Sequence, residues 1–424
     1  MLDIAYIREH PQEVENNARN RGHSVDIHKV LEYDAKRSAY IVQIDALRAK
    51  QNAHKGTPTP AQLSELSIVK EKEASLSREL DECENILRAL LSEIPNLSHP
   101  DVHISTDEND NPVLDVVKEP ITFDFEPKDH VVLGESLDLI DFDRATKVSG
   151  AKFYYLKNDA VLLEQALIAY AFQIVTRHGY IPIITPDVAK RDILVEVGFN
   201  PRGDATQVYN IENTDLSLIG TAEITMSGYH MNETFDEKDL PKKYVALSHC
   251  FRTEAGSYSK YAKGIFRVHQ FTKVEMFQYT VPSESEKAHH EMLAIEKELF
   301  DGLDLPYRVI DHSTADLGNP AYRTFDLEAW MPGKPNKDGS MGDWAEVTST
   351  SNCTDYQSRG LHIKYKTING DKAYVHMQNG TALALPRVII AILENNQNAE
   401  GSITIPKVLT SFIGKETITH ADNH

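Results

Sequence analysis

Residues 264–277 read Gly264-Ile265-Phe266-Arg267-Val268-His269-Gln270-Phe271-Thr272-Lys273-Val274-Glu275-Met276-Phe277, the second arm of a hairpin over 243–279 whose first arm ends Phe251-Arg252-Thr253-Glu254. A strand's period of two sorts the second arm into two faces. Phe266, Val268, Val274 and Met276 fall on one, as a core-facing side should. Arg267, His269, Phe271, Lys273 and Glu275 fall on the other, and Arg252 shares a face with Glu254 in the first arm. Two readings fit this polar side. One is the solvated face of an antiparallel sheet. The other is a surface that holds something charged, flat and mixed in character. Elsewhere, Tyr322–Trp330 alternates like a strand with Phe325, Leu327 and Ala329 on one side. Wide spacing between strand-like runs and few βαβ signals predict an α+β body with a mainly antiparallel sheet.

The 424 residues suffice for two or three domains. A net charge of −20 favours solubility and opposes non-specific nucleic-acid binding, so a DNA-coating protein is not expected. A local basic patch still suffices for a nucleic-acid partner. No apolar run approaches a membrane span, and Met1–Glu9 lacks the apolar core of a secretory signal. Cys83, Cys250 and Cys353 are odd in number and far apart, which predicts reduced thiols in a cytoplasmic compartment. No Cys/His spacing suggests zinc. His289-His290 lies in a helical segment and reads as surface rather than ligand.

Leu66, Val69, Glu73, Leu76, Leu80, Cys83, Leu87, Leu90 and Ile94 follow alternating steps of three and four, with only Glu73 breaking the apolar seam. Upstream, Ile27, Val30, Tyr33, Tyr40, Ile44 and Leu47 give a weaker stripe with Arg37 on it. Gly56-Thr57-Pro58-Thr59-Pro60 is a breaker between them. The pattern predicts an antiparallel helical hairpin over about 27–94, each helix about 40–50 Å long, projecting from the body. Its first helix is basic, with Lys29, Lys36, Arg37, Arg48, Lys50 and Lys55, and its second acidic. Interhelical ion pairs and a grip on nucleic-acid phosphates both account for this. Beyond the hairpin, Asp159 is the expected cap of a helix over 160–178, and Gly179–Pro186 reads as a turn into a strand.

No P-loop and no Rossmann fingerprint is present, and no serine sits in a nucleophile elbow. A nucleotide would therefore be held without a glycine cradle. Arg252 and Arg267 offer forked donors to phosphate, Phe271 a ring to stack on a base, and Glu346 a carboxylate for magnesium. Four strand residues span about 13 Å, so Phe271 and Glu275 are as far apart as the ends of an aminoacyl-adenylate.

In these residues the chain resembles the bacterial seryl-tRNA synthetases, class II enzymes, and the likeness covers nearly its whole length. Met1-Leu2-Asp3-Ile4 and the helical hairpin resemble the family's N-terminal tRNA-binding domain. Gly179–Pro186 resembles motif 1, whose proline lies at a dimer interface. Phe251–Ser257 and Arg267–Phe271 resemble motif 2, and Asn379–Arg387 resembles motif 3. Thr221-Ala222-Glu223 resembles the loop peculiar to serine enzymes, and Glu346–Ser349 with Ser351-Asn352-Cys353 is close to the family pattern. Each motif is weak alone, but seven in order are specific. The resemblance implies an antiparallel class II sheet flanked by helices, with a tRNA-binding domain at 1–105 carrying the coiled-coil arm and a catalytic domain at 106–424.

It also implies roles. Arg252 binds the α-phosphate and the serine carboxylate, Arg387 the γ-phosphate of a bent ATP, and Glu254 the adenine amino group. Phe271 stacks on the ring. Thr253, Arg267, Val347 and Thr348 complete the ATP site, and Glu346 and Ser349 hold Mg2+. Thr221, Ala222, Glu223, Glu275, Asn379 and Thr381 recognise serine. The expected partners are serine tRNA, selenocysteine tRNA where the organism has one, and a second copy of the chain; no membrane, DNA or zinc is expected. The chain departs from the family at Tyr258–Lys263, where Gly, Lys or Arg, and Asp are usual, and at Thr381, where many bacterial members carry Ser. Val347-Thr348 stands where Ile or Val, then Ser, is usual. The alternatives are a related ligase that loads a carrier protein, which the long arm speaks against, and a non-catalytic binding protein, which retention of Arg252, Glu254, Glu346 and Arg387 speaks against.

Overall fold

The computed structural model describes residues 1–53, 59–199, 207–255 and 261–420. The turn at Gly56–Pro58 and residues 258–260 of the departing run 258–263 lie outside the described residues. The chain forms two compact units, Met1–Leu97 and Ser98–His424.

In the first unit, short helices Ile4–Glu9 and Pro11–Asn20 precede a helical pair, α1 (Ile27–Asn52) and α2 (Pro60–Ser92). Asp26 caps α1 by accepting from the Lys29 N–H at 2.9 Å. Thr59-Pro60, read as part of the breaker, starts α2: Thr59 and Gln62 form a reciprocal capping box with proline at the first helical position. The seam is where the heptads put it. Ile27, Val30, Ile44, Leu76, Cys83 and Leu87 are buried. Both polar seam residues find partners across it: Arg37 Nε lies 2.8 Å from Glu84 Oε1, and Arg48 Nε lies 2.8 Å from Glu73 Oε1.

In the second unit, eight strands among the described residues form one sheet. They are β1 (Val113–Val116), β2 (Ile181–Ile184), β3 (Lys242–Phe251), β4 (Gln270–Thr280), β5 (Tyr307–Asp311), β6 (Arg323–Pro335), β7 (Met341–Asn352) and β8 (His376–Ala384). Their order is β1-β5-β6-β7-β8-β4-β3-β2, antiparallel throughout except for β2 on β3. Helices α3 (Asp159–Arg177), α5 (Ser285–Leu303) and α7 (Leu385–Asn395) pack Leu163, Leu167, Met292, Leu299, Ile389 and Ile392 against Val274, Met276, Leu327 and Ala329 of the sheet. A second apolar cluster joins α4 (Ala222–Gly228) to Phe277, Tyr279 and Met377.

Several expectations are corrected. The hairpin's first strand stops at Phe251, and Glu254 has φ +52, outside any strand conformation. The second strand begins at Gln270, not Gly264, because 264–269 is a bending segment. The polar face is not solvated: Lys273 and Glu275 are 6% and 1% exposed. Helix α3 starts at Asp159, with Asn158 as its cap residue, and Asp159 pairs with Lys415 at 2.6 Å instead. This 19-residue helix is long and apolar enough to cross a membrane, contrary to the sequence reading. Its apolar length is explained by burial of Leu163, Leu167, Tyr170 and Ile174 under the sheet. His289 is buried, stacked on Phe325 with Nε2 donating to the Thr350 carbonyl at 2.9 Å; burial pushes its pKa down to about 3, so the ring is neutral.

Gly380 of β8 marks a close approach beneath the sheet. A Cβ there would stand 2.8 Å from Thr350 Oγ1 and 3.0 Å from Glu296 Oε1 of the buried helix α5. Thr350 is itself held by donation to the Asn379 carbonyl at 3.0 Å. Gly380→Ala is therefore expected to cost about 1–3 kcal/mol of stability. A urea midpoint equal to wild type contradicts that expectation.

Candidate active site

A cavity of about 280 Å³ opens on the sheet where β4, β7 and β8 meet the residues following β3. Every residue expected from the sequence to bind ATP or serine lines it, apart from Thr253 and Ala222. Thr253 donates its N–H to the Gln207 carbonyl, and Ala222 is buried in the second apolar cluster. Ile265, Phe266, Pro386 and Phe199 supply apolar wall.

At one end lie Arg252 and Arg267. The Arg252 guanidinium sits over the Phe271 ring, 5.4 Å from its centroid, and its Nε donates to the Gly220 carbonyl at 3.2 Å. Arg252 leaves the strand but stays in its ladder, since its N–H donates to the His269 carbonyl. Glu254 and Arg267, read as parts of two strand faces, meet across the bend with Arg267 Nη1 3.4 Å from Glu254 Oε2. Arg267 Nε is buried without a hydrogen-bond partner among the described residues. Phe271 is half-buried, with one side turned to the cavity.

On the far wall Arg387, third residue of α7, lies 3.0 Å from Glu346 Oε2 and 4.8 Å from the centre of the Phe266 ring. Burial works against charge on Glu346, but Arg387 outweighs it, helped by Arg252 and His312, and its pKa is lowered. Behind it, Ser349 is the cross-strand partner of Asp326, and His312 Nε2 lies 2.8 Å from Asp326 Oδ2. Burial alone would lower the His312 pKa; Asp326, then Asp316 and Glu346, raise it to about 10. Val347 and Thr348 continue this wall, with the Thr348 hydroxyl donating to Glu296 Oε2 at 2.9 Å.

The third region is acidic. Glu275 of β4 faces Thr381 of β8 in register, and the Thr381 hydroxyl donates to Glu275 Oε2 at 3.3 Å. Lys273, two residues back on the same face, forms an ion pair with Glu275 and lies 3.4 Å from Thr381 Oγ1. Thr221 caps α4 through the Glu223 N–H at 3.2 Å. Burial, then the nearby Glu275 charge, raises the Glu223 pKa to about 7. Asn379 Nδ2 is 3.6 Å from the Cys353 sulfur.

The strand pattern put Lys273 on the right face, but its ion pair with Glu275 needed the fold. Asp326 and His312 carried no signal, because their meeting depends on the β6–β7 register. Gln357, which donates to Glu223 at 2.7 Å, sits on the short helix α6 (Tyr356–Leu361) and was equally silent. Among the described residues no group of three or more His, Cys, Asp or Glu could hold a metal alone. Arginines at two walls, a stacking ring beneath one of them and paired carboxylates suit a ligand that is polyanionic, flat and cationic in different parts.

Residues 1–98 match the family model of the seryl-tRNA synthetase N-terminal domain, and residues 207–396 match the class II tRNA synthetase core domain (G, H, P, S and T). The serine–tRNA ligase of Treponema denticola is 48% identical, covering 99% of this chain and 100% of its own; that of Rubrobacter xylanophilus is 45% identical, covering 99% of each. Among solved structures, the seryl-tRNA synthetase of Pyrococcus horikoshii complexed with ATP aligns with a TM-score of 0.88 at 37% identity over 100% of both chains. The cytoplasmic enzyme of Naegleria fowleri in complex with AMP aligns at 0.85 and 31%, covering 100% of this chain and 99% of its own. On full-length likeness at this level of identity, the chain belongs to the seryl-tRNA synthetase family.

Proposed function

We infer that the chain activates L-serine with ATP and transfers the seryl group to the 3′-terminal ribose of serine tRNA. The observation that carries this is the single cavity that gathers the arginine pair Arg252 and Arg387, the Phe271 ring and the Glu223–Glu275 carboxylates. The serine carboxylate attacks the α-phosphorus and pyrophosphate leaves, so the protein supplies position and charge rather than a nucleophile. Arg252 stands between the Phe271 ring and the acidic end, where the carboxylate and α-phosphate meet. Arg387 takes the distal phosphates, exchanging its hold on Glu346 for them. Glu254, braced by Arg267, faces the base. Glu346 and Ser349 offer hard oxygen donors that fit magnesium, which usually takes one or two carboxylates and completes its shell with phosphates and water. That ion would neutralise the charge that builds on the leaving pyrophosphate.

Thr381 and Glu275 pair the serine hydroxyl, and Glu223 takes the ammonium. Alanine brings no hydroxyl to join Thr381 and Glu275, which selects against it. We assign the helical pair α1–α2 to the serine tRNA. Ion pairing across the seam accounts for Arg37 and Arg48, whereas Lys29 and Lys50 form no ion pair among the described residues. We further propose a homodimer through the edge strand β2, where Ile181 and Ile184 are 54% and 78% exposed and Pro186 is also exposed, and a cytoplasmic location.

Pyrophosphate exchange should require serine; exchange that proceeds equally without it refutes the reading. Arg252→Ala should lower exchange about 10²–10³-fold, the scale of losing one preorganised charge donor, and unchanged exchange would favour a binding protein. Below pH 7 Glu223 is increasingly protonated, and serine's ammonium must displace that proton. The KM for serine is therefore expected to rise by about tenfold per pH unit well below 7, with the KM for ATP flat, and a flat serine KM from pH 8 to 6 contradicts it. Lys29→Ala with Lys50→Ala should raise the KM for tRNA, reduce the salt slope of tRNA binding by about one to two and leave exchange unchanged; an unchanged salt slope overturns the arm assignment.

A further inference from the structure

Glu223 stands in a wall between two cavities. One is the cleft described above. The other, about 270 Å³, is lined on its far side by Gly198, Pro320 and Cys353, and Glu223 with Asn379 lines both. Because Glu223 borders both, the direction of its carboxylate depends on the neighbours that hold it.

The neighbour that holds it is Gln357, fully buried on α6. Its Nε2 donates to Glu223 Oε1 at 2.7 Å and to the Val197 carbonyl at 3.1 Å. Both partners are acceptors, so only the amide nitrogen can face them. The cost falls on the other end, where Gln357 Oε1 is buried without a hydrogen-bond partner among the described residues. A half-satisfied buried amide is unfavourable for the fold, and such local conflicts tend to persist where a site needs them. The charged groups facing Glu223 are Glu275 and Lys273 from β4 and Arg252 from beyond β3. Glu196, on the neighbouring helix Arg191–Glu196, lies against Gly360. Glu275 already has Lys273 as an ion-pair partner, whereas Glu223 is met at this distance by a neutral amide.

We propose that Gln357 is a positioning residue for the amino acid substrate, fixing the Glu223 carboxylate in the orientation that meets the substrate ammonium. This rests on the reading of Glu223 as the ammonium partner. A neutral donor suits that role, because it orients the carboxylate without cancelling the charge that the ammonium must meet.

The test is serine-dependent pyrophosphate exchange by the full-length chain across pH 6–9, with thermal melts of each variant. Gln357→Met keeps the volume and removes the donor. The bend in log kcat/KM for serine, near pH 7 in wild type, should move up by about one unit and the serine KM at pH 7 should rise about fivefold, because a lost donor raises a carboxylate's pKa. The kcat and the KM for ATP should stay within about twofold. In a Glu223→Gln background, adding Gln357→Met should change the serine KM by less than about twofold. A folded Gln357→Met with an unmoved bend and serine KM overturns the proposal, as does a parallel loss in kcat and the KM for ATP. If the methionine variant does not fold, Gln357→Glu keeps the shape and brings a like charge to Glu223; it should move the bend upward, and an unmoved bend there also overturns the proposal. Glu223→Gln alone with a wild-type serine KM rejects the ammonium assignment itself, whatever Gln357 does.

Discussion

The buried ion pair of Lys273 and Glu275 is the constraint around which the catalytic unit is arranged. Two opposite charges stand two residues apart on one face of β4, each almost fully removed from water. Removing charges from water is expensive, and an ion pair seldom recovers the whole cost in stability. The strand can carry the pair because its opposite face, Val274 and Met276, lies in the largest apolar cluster under α3, α5 and α7. Period-two geometry forces this division: the residues that anchor β4 to the core alternate with those that build the site. The cross-strand register then places Thr381 beside Glu275. A slip of one residue would turn Lys273 and Glu275 into the core and dismantle both faces.

This arrangement explains why a chain with net charge −20 can bind polyanions. Arg252, Arg267 and Arg387 line one concave cavity, where like charges focus the field more strongly than on a flat surface. Acidic residues elsewhere are screened by solvent and salt. The site also keeps its own charges paired before a ligand arrives: Arg387 with Glu346, Arg267 with Glu254, Lys273 with Glu275. A ligand that supplies the matching charge replaces a partner instead of meeting an uncompensated group, and this keeps the empty cavity compatible with folding.

The sequence carried the parts of this that depend on periodicity and little of what depends on register. The α1–α2 seam was legible residue by residue, because heptads report a helix's buried stripe directly. The division of β4 into two faces was legible too, and so were the core positions of Phe325, Leu327 and Ala329 in β6. Where the first strand of the hairpin stops was not. Alternation continues through Arg252-Thr253-Glu254 on paper, but the positive φ of Glu254 swings its carboxylate to Arg267. The sequence could not tell a solvated polar face from a buried one, because the two have the same pattern. Asp326 with His312 and Glu223 with Gln357 are contacts between segments distant in the chain, and no spacing rule announces them. His289 reads as a surface residue for the same reason: its burial comes from Phe325 and the Thr350 carbonyl on neighbouring strands.

The helical pair follows the same logic as β4. Its seam admits two polar residues, Arg37 and Glu73, where leucine would bury more apolar surface. Arg37 meets Glu84 and Arg48 meets Glu73, so eleven residues forward along α1 correspond to eleven back along α2. Both pairs thus specify one antiparallel register. A slip of one heptad would set Arg37 against Ser77 or Leu91, leaving its charge beside an apolar seam without a partner. An all-leucine seam would tolerate that slip, because heptad repeats look alike to each other. The ion pairs themselves are half-exposed and contribute little to stability; their effect is on which alignment wins. An arm that grips a nucleic acid by backbone and shape needs its basic residues at fixed heights along the helix, since such recognition depends on spacing and not on bases. The polar breaks in the seam are therefore not defects in a hydrophobic stripe. They set the ruler along which Lys29 and Lys50 are placed, as Lys273 and Glu275 set the register against which Thr381 is placed.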